Sequence, residues 1–262
     1  MRVLPPCSRE RRLPDPANPQ PEHDRLVRKL ESIAELSAED ERAVRSLPLA
    51  IKTLPADTDI VREGERPSQS CLVVDGFACR YKLTPAGRRQ IMSFHIPGDV
   101  PDVQSLLLRT MDHSLGTLTP CRLAFVTHES LRDLIRQRPR IADAFWRDTL
   151  IDAAVFREWM VGIGRRSARQ RIAHLLCELL VRLEAVGLTE DHAYELPVTQ
   201  EELGDALGLS SVHVNRVLQE LRQNGLVVLR GRRLSTPDWE GLKAAGEFDP
   251  TYLHLDHKEA AA

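Results

Sequence analysis

The sequence predicts an α+β protein in which a strand-rich first half is followed by one long helix and a smaller helical unit ending in a hairpin. Three observations predict it. Between residues 49 and 127, the runs "CLVVDGFACRYKL", "RQIMSFHI" and "CRLAFVTH" are short, apolar or alternating, and separated by Gly, Pro and Asp, as strands and turns are. From Pro139 to about Ile163 the pattern turns helical and stays so. Beyond it, "TQEELGDALGLSSVHVNRVLQEL" carries two helix-start signals on either side of a glycine, the mark of two short helices joined by a tight turn.

In chain order, residues 1–22 hold Pro5, Pro6, Pro14, Pro16, Pro19 and Pro21 with little apolar content and read as a disordered lead. A short helix follows from about Asp24 to Ser46, with Leu26, Leu30, Ile33 and Leu36 at helical spacing. Within the strand region, "LTPAGRRQI" reads as a hairpin, Pro85 entering its turn and Gly87 free to take positive φ. The many short strands suggest a compact barrel, roll or sandwich. The long helix spreads Phe145, Trp146, Leu150, Ile151, Val155, Phe156, Trp159, Met160 and Ile163 over more than one face. Such a helix is buried on more than one side. The strand domain would cover one side and a second copy of the chain the other, so Phe145, Leu150, Val155, Phe156, Trp159 and Ile163 are the expected dimer-helix residues. "GIGRRS" then interrupts the helix, and Ser167 with Gln170 has capping-box spacing for the next one. That helix runs to about Val186 and ends at Gly187. "LTEDHAYELP" reads as a polar connector.

Thr199 and Glu202 form a second capping box, Gly208 sits at the turn, and Ser210 is placed to cap the helix that follows. Helix, glycine-containing turn and helix is the helix-turn-helix layout, whose second helix enters the DNA major groove. "GLVVLRGRRLST" adds two short strands around Gly231, a β-hairpin wing whose Arg230, Arg232 and Arg233 suit phosphate contacts. On the second helix, Val214, Val217, Leu218 and Leu221 make one apolar face, and Ser211, Val212, Asn215, Arg216 and Gln219 face the other way. Arg216 can donate a bidentate pair to guanine O6 and N7. Ser211 and Asn215 face bases or phosphates. Val212 either packs on a thymine methyl or is merely tolerated beside the DNA. Thr199 is a candidate phosphate contact, and His213 either contacts phosphate or base or is only a helix-start residue.

With these residues in view, the chain resembles the Crp/Fnr superfamily of bacterial transcription regulators. The resemblance covers about residues 24–240. It rests on "VREGERPSQSCLVVDGFACRYKLTPAGRRQIMSFHIPGDV" as a cyclic-nucleotide-binding-like β-roll, on the long helix, and on "TQEELGDALGLSSVHVNRVLQELRQNGLV" as the DNA-binding part. It implies a lead at 1–22, a β-roll sensor domain at 23–137, a dimerisation helix at 138–164, a winged helix-turn-helix at 165–240 and a tail at 241–262. It further implies a cytoplasmic homodimer on a two-fold symmetric site of double-stranded DNA, acting with RNA polymerase. Val212 stands where family members commonly carry a glutamate, so the half-site is expected to differ.

In the family's phosphate cassette, Asp102-Val103 stands where Gly-Glu would be and His113-Ser114 where Arg-Ser would be. A buried phosphate without its arginine is largely uncompensated, which argues against cyclic AMP or GMP and leaves any small-molecule effector unknown. An iron–sulfur cluster is not expected, since Cys7 alone lies in the N-terminal segment. His95, Cys71 and Cys79 are the conceivable haem ligands, and Cys79 and Cys121 the conceivable redox thiols, but nothing basic clusters near either thiol to lower its pKa. No cofactor, metal site or catalytic residue is expected, because no G-x-S-x-G, Walker loop or H-E-x-x-H is present. The rival reading is a β-roll regulatory subunit controlling another protein. Apolar content of 42% beside 28% charge fits a soluble globular chain, and no apolar run reaches the length of a membrane span. The net charge of −2 means that any DNA-binding surface must be local.

Overall fold

The computed structural model describes residues 21–255. Most of the expected disordered lead lies outside the described residues, but its last two positions are helical. Helix α1 (Pro21–Glu31) opens at a proline, which is pre-set for the first helical turn, with Glu22 and Asp24 beside it. The single helix expected to run to Ser46 is broken in two. Ser37 accepts from the Asp40 N–H while the Asp40 carboxylate accepts from the Ser37 N–H, and this capping box starts α2 (Ala38–Arg45) afresh.

Two sheets make the strand domain. One has the order β1 (Ala50–Leu54), β7 (Cys121–Thr127), β3 (Gln69–Asp75); the other β2 (Asp59–Val61), β6 (Ser114–Thr117), β4 (Ala78–Leu83), β5 (Arg89–His95). Strand β3 is buried on both faces, which explains its unbroken apolar run. Cys71 and Val73 point between the sheets onto Ala78, Cys121 and Leu123. Leu72 and Val74, one step out of phase, pack on Leu26, Leu30, Leu131 and Phe145 from the helices outside. The β4–β5 hairpin turns as expected, with Gly87 at φ 76° and the Thr84 N–H donating to the Arg88 carbonyl at 2.9 Å.

Helix α3 (His128–Gln137) leads into the long α4 (Pro139–Arg165), which runs through both Gly162 and Gly164. The expected break lies just after them, at Arg166–Ser167, where Ser167 and Gln170 close the capping box that starts α5 (Ala168–Ala185). The expected roles along α4 divide. Phe145, Val155 and Trp159 are buried in their own chain, Trp159 edge-on to Phe94 with centroids 5.8 Å apart. Phe156 lies under the Arg80 guanidinium. Leu150 and Ile163 are exposed, together with Trp146, Met160 and Val161. Helix α4 thus has one buried face and one wet apolar face.

The helix that is buried all round is α5, from Ile172 through Leu180. At its centre Glu178 is fully buried. Its carboxylate accepts from Trp159 Nε1 at 2.9 Å, Tyr252 OH at 2.9 Å and Arg182 at 3.2 Å, the dense hydrogen bonding that a buried charge demands. The expected polar connector contains β8 (Ala193–Glu195), whose Tyr194 is buried and donates its hydroxyl to the Leu176 carbonyl at 3.0 Å. After the DNA-binding motif comes α8 (Trp239–Gly246), so the tail boundary expected at 240/241 falls inside a helix. A 3-10 turn at Pro250–Leu253 follows and returns to α4, where the Arg147 guanidinium donates to the His254 carbonyl at 3.1 Å.

Candidate nucleic-acid interface

The interface is built by short-range signals. Helix α6 (Gln200–Leu207) starts at Thr199, whose hydroxyl accepts from the Glu202 N–H, while the Glu202 carboxylate accepts from the Thr199 N–H at 2.6 Å. It ends at Gly208, left-handed at φ 65°, a conformation glycine adopts without steric cost. The turn is tight: a Cβ on Gly204 would lie 2.5 Å from the Leu209 carbonyl oxygen. Ser210 then caps α7 (Ser211–Gln223) by accepting from the His213 N–H. Val214, Val217, Leu218 and Leu221 are buried, and the Arg169–Glu220 ion pair at 2.9 Å ties α7 to α5.

The outer face of α7 presents the residues expected to read bases. Ser211, Val212 and Arg216 are exposed, Val212 at 79%. Asn215 is half-buried and its amide nitrogen donates to Gln200 Oε1 at 3.0 Å. Of the expected phosphate contacts, Thr199 is exposed at the head of α6 and His213 is half-buried in the first turn of α7. Strands β9 (Val228–Arg230) and β10 (Arg233–Ser235) form the wing in the register Leu229↔Leu234, with Gly231 at φ 62° in the turn. Strand β8 adds a third strand beside β10. Arg230, Arg232 and Arg233 are all exposed at the tip, and Arg233 pairs with Glu190 at 3.2 Å. This unit does not hang free. Helix α6 docks on β5 of the roll, with Arg89 on Asp205 at 2.8 Å and the Gln90 amide donating to the Ala206 carbonyl.

A domain family described as "Crp-like helix-turn-helix domain" matches residues 170–245, and one described as "Cyclic nucleotide-binding domain" matches residues 51–138. The chain is 27% identical to the transcriptional activator protein FnrL of Cereibacter sphaeroides, over 70% of this chain and 74% of that protein. It is 29% identical to the transcriptional activatory protein AadR of Rhodopseudomonas palustris, over 78% of this chain and 83% of that one. The structure of FixK2 from Bradyrhizobium japonicum superposes with a TM-score of 0.69 at 26% identity, covering 76% of this chain and 98% of that one.

The chain belongs to the Crp/Fnr superfamily.

It is a Crp/Fnr-type transcriptional regulator with a helix-turn-helix DNA-binding domain. In the Crp/Fnr roll, the space between β4, β5 and α4 is largely filled. A cavity of about 60 Å³ remains, lined by Lys29, Arg80, His95, Asp99, Asp152 and Arg182 among others. Small-molecule pockets usually run to roughly 300–1,000 Å³. Arg80 is the residue that sequence reasoning missed. Its guanidinium donates to Asp152 at 2.6 Å and to the Pro101 carbonyl at 2.7 Å. The signal was present in the strand register, where Arg80 shares the inward phase of Ala78.

The cassette positions are turned to internal use. Asp102 is buried and accepts from the Cys71 N–H at 2.9 Å; its burial pushes the carboxyl up to about 7. His113 is bonded to Asp112 at 2.6 Å and lies 3.3 Å from the Gln104 amide, and burial with Arg80 nearby holds its pKa down. Ser114 accepts from the Glu63 N–H. Asp99 is pushed up by burial, yet Lys29 and Arg182 outweigh that and hold it well below the carboxylate range. His95 is kept low by burial and bonds to Ser93 at 2.9 Å. Cys71, Cys79 and Cys121 are buried, and desolvation raises each thiol, Cys79 to about 12. The thiolates that redox sensing requires are disfavoured. Among the described residues no helix is long and apolar enough to cross a membrane.

Proposed function

We propose that the chain works as a homodimer that reads a two-fold symmetric duplex site. Ser211, Val212, Asn215 and Arg216 contact bases, while Thr199, His213, Arg230, Arg232 and Arg233 hold phosphates. The observation that carries this reading is the outer face of α7. It offers a bare arginine and a valine at 79% exposure beside a wing tip of exposed arginines. Among the described residues most of this isopropyl group stays uncovered, and a thymine methyl supplies a packing partner.

Dimerisation is supported by the wet face of α4. Trp146, Leu150, Ala153, Arg157, Met160 and Gly164 follow the alternating four- and three-residue spacing of a coiled-coil seam. The reading keeps the sensor roll at 23–137 and the dimer helix at 138–164, and extends the winged helix-turn-helix from 165 through α8. The small cavity, in which Arg80 is already paired with Asp152, supports a regulator that takes neither cyclic AMP nor cyclic GMP in its roll. Cytoplasmic action alongside RNA polymerase follows from the resemblance, and a non-enzymatic role from the missing catalytic motifs.

The test is to incubate the purified, unliganded protein with a random duplex pool at near-physiological salt and sequence what it retains. A symmetric motif with half-sites about one helical turn apart is the expected result. Equal retention of unrelated duplexes would replace this reading with a sequence-independent binder.

A further inference from the structure

The contact between Asn215 and Gln200 joins the two helices of the motif across its outer surface. Gln200 is the first residue of α6, and Asn215 lies in the second turn of α7. The Asn215 amide nitrogen donates to Gln200 Oε1 at 3.0 Å. Neither side chain makes another hydrogen bond among the described residues. Both are half-buried, so neither side chain is sealed from solvent. Asn215 lies one turn beyond Ser211 and next to Arg216, within the row proposed to read bases.

A free asparagine amide turns over easily, because its terminal torsion is broad and roughly two-fold. Turned one way it offers an acceptor where, turned the other, it offers a donor. An adenine edge in the major groove requires both in one order, an acceptor for N6–H and a donor to N7. An amide nitrogen carries two hydrogens. When Gln200 takes one, the other hydrogen and Oδ1 remain for a base, and their order is set.

We propose that Gln200 is a positioning residue for specificity: by holding the Asn215 amide in one orientation, it makes Asn215 an adenine reader. This rests on the reading of α7 as the recognition helix. Gln200 itself need touch no base. Its effect passes through Asn215, so it alters the preference at one base pair and leaves the others as they are.

The experiment is the same random-duplex selection, run on the wild type, Asn215→Ala, Gln200→Ala and Gln200→Glu. The wild type is expected to prefer adenine at one position per half-site by about tenfold or more. Asn215→Ala removes that preference. Gln200→Ala lowers it, at the same position, to about twofold or less, with the guanine preference opposite Arg216 unchanged. That unchanged guanine is also the control for folding. Gln200→Glu keeps an acceptor for the Asn215 amide and so keeps the adenine preference, while its added charge weakens binding to all duplexes alike. A Gln200→Ala protein with wild-type adenine preference overturns the proposal and leaves the recognition helix standing. An Asn215-dependent position that prefers another base overturns it as well. A wild type that enriches no motif takes down the proposal together with the reading it rests on.

Discussion

Val212 and Arg216 stand one helical turn apart on the wet face of α7, and each makes a prediction at the scale of one base pair. Arg216→Ala is expected to cost roughly 1–3 kcal/mol on the selected site and to relax a single guanine. Arg232→Ala should weaken every duplex to a similar degree and lower the salt slope by about one. Competition titrations on matched and mismatched duplexes separate the two effects. For Val212, replacing the facing thymine by deoxyuridine removes the methyl group. That exchange should weaken wild-type binding and leave Val212→Ala indifferent; equal loss in both proteins would leave the valine no role as a reader. Asp102 makes a prediction in pH. Its folded pKa of about 7 lies above the usual 3.8 because burial disfavours the charged form. The folded state therefore holds a proton that the unfolded state has released, and this stability is lost as pH rises from about 4 to about 7. The full effect is on the order of 4 kcal/mol. Asp99 has the opposite sign, because its carboxyl is held low, so its contribution is lost as pH falls below the carboxylate range. Denaturant melts of Asp102→Asn should show a flatter profile between pH 4 and 7 than the wild type.

Helix α4 has two apolar faces in different surroundings. Its buried face meets the roll and α5 through Phe145, Val155 and Trp159, while Trp146, Leu150 and Met160 face solvent. A charge on each face should act differently. Leu150→Glu is expected to leave a folded chain that sediments as a monomer, since a carboxylate in an apolar seam must be desolvated. Val155→Glu should unfold the chain itself, for the same reason applied inside its core. A dimer that survives both Leu150→Glu and Met160→Glu would rule out this face as the seam. The periodicity of α4 exposed its double character but not which residues belong to which face. Ranking by hydrophobicity favours large aromatics for any interface, and here the aromatics Phe145 and Trp159 went inward because Leu72, Val74 and Phe94 already offered them a surface.

At the scale of the whole molecule, buried charges tie the parts together. Arg80 and Asp152 join the roll to α4 at 2.6 Å, Lys29 and Asp148 join α1 to α4 at 3.2 Å, and Arg182 of α5 reaches Asp99 of the roll at 2.9 Å. Glu178 ties α5 to Trp159 of α4 and to Tyr252 near the C-terminus. Leu253 and Leu255 from that last segment line the roll cavity. The segment after the wing thus reaches back to both the long helix and the roll. Tyr252→Phe withdraws one donor from the fully buried Glu178 and should destabilise the chain by about 1–3 kcal/mol, read as a lower denaturant midpoint at unchanged slope. An unchanged midpoint would mean that the segment contributes nothing to holding α5 on α4.

What the sequence settled by itself are features decided within a few residues. The capping boxes at Thr199 and Ser167, the left-handed glycines Gly87, Gly208 and Gly231, the alternation of the strands and the apolar stripe of α7 each depend on neighbours along the chain. Local backbone sterics and hydrogen bonding suffice to specify them. They were enough to place the helix-turn-helix, its wing and the strand-rich half. The tertiary structure decided where the remaining polar side chains find partners. Tyr252 meets Glu178 across 74 residues, Arg80 meets Asp152 across 72, and Asn215 meets Gln200 across 15. A buried charge or amide must be matched by whatever group packing brings beside it, and no periodicity along the chain encodes that distance. The small roll cavity and the Asn215–Gln200 contact were therefore visible only once the chain was folded.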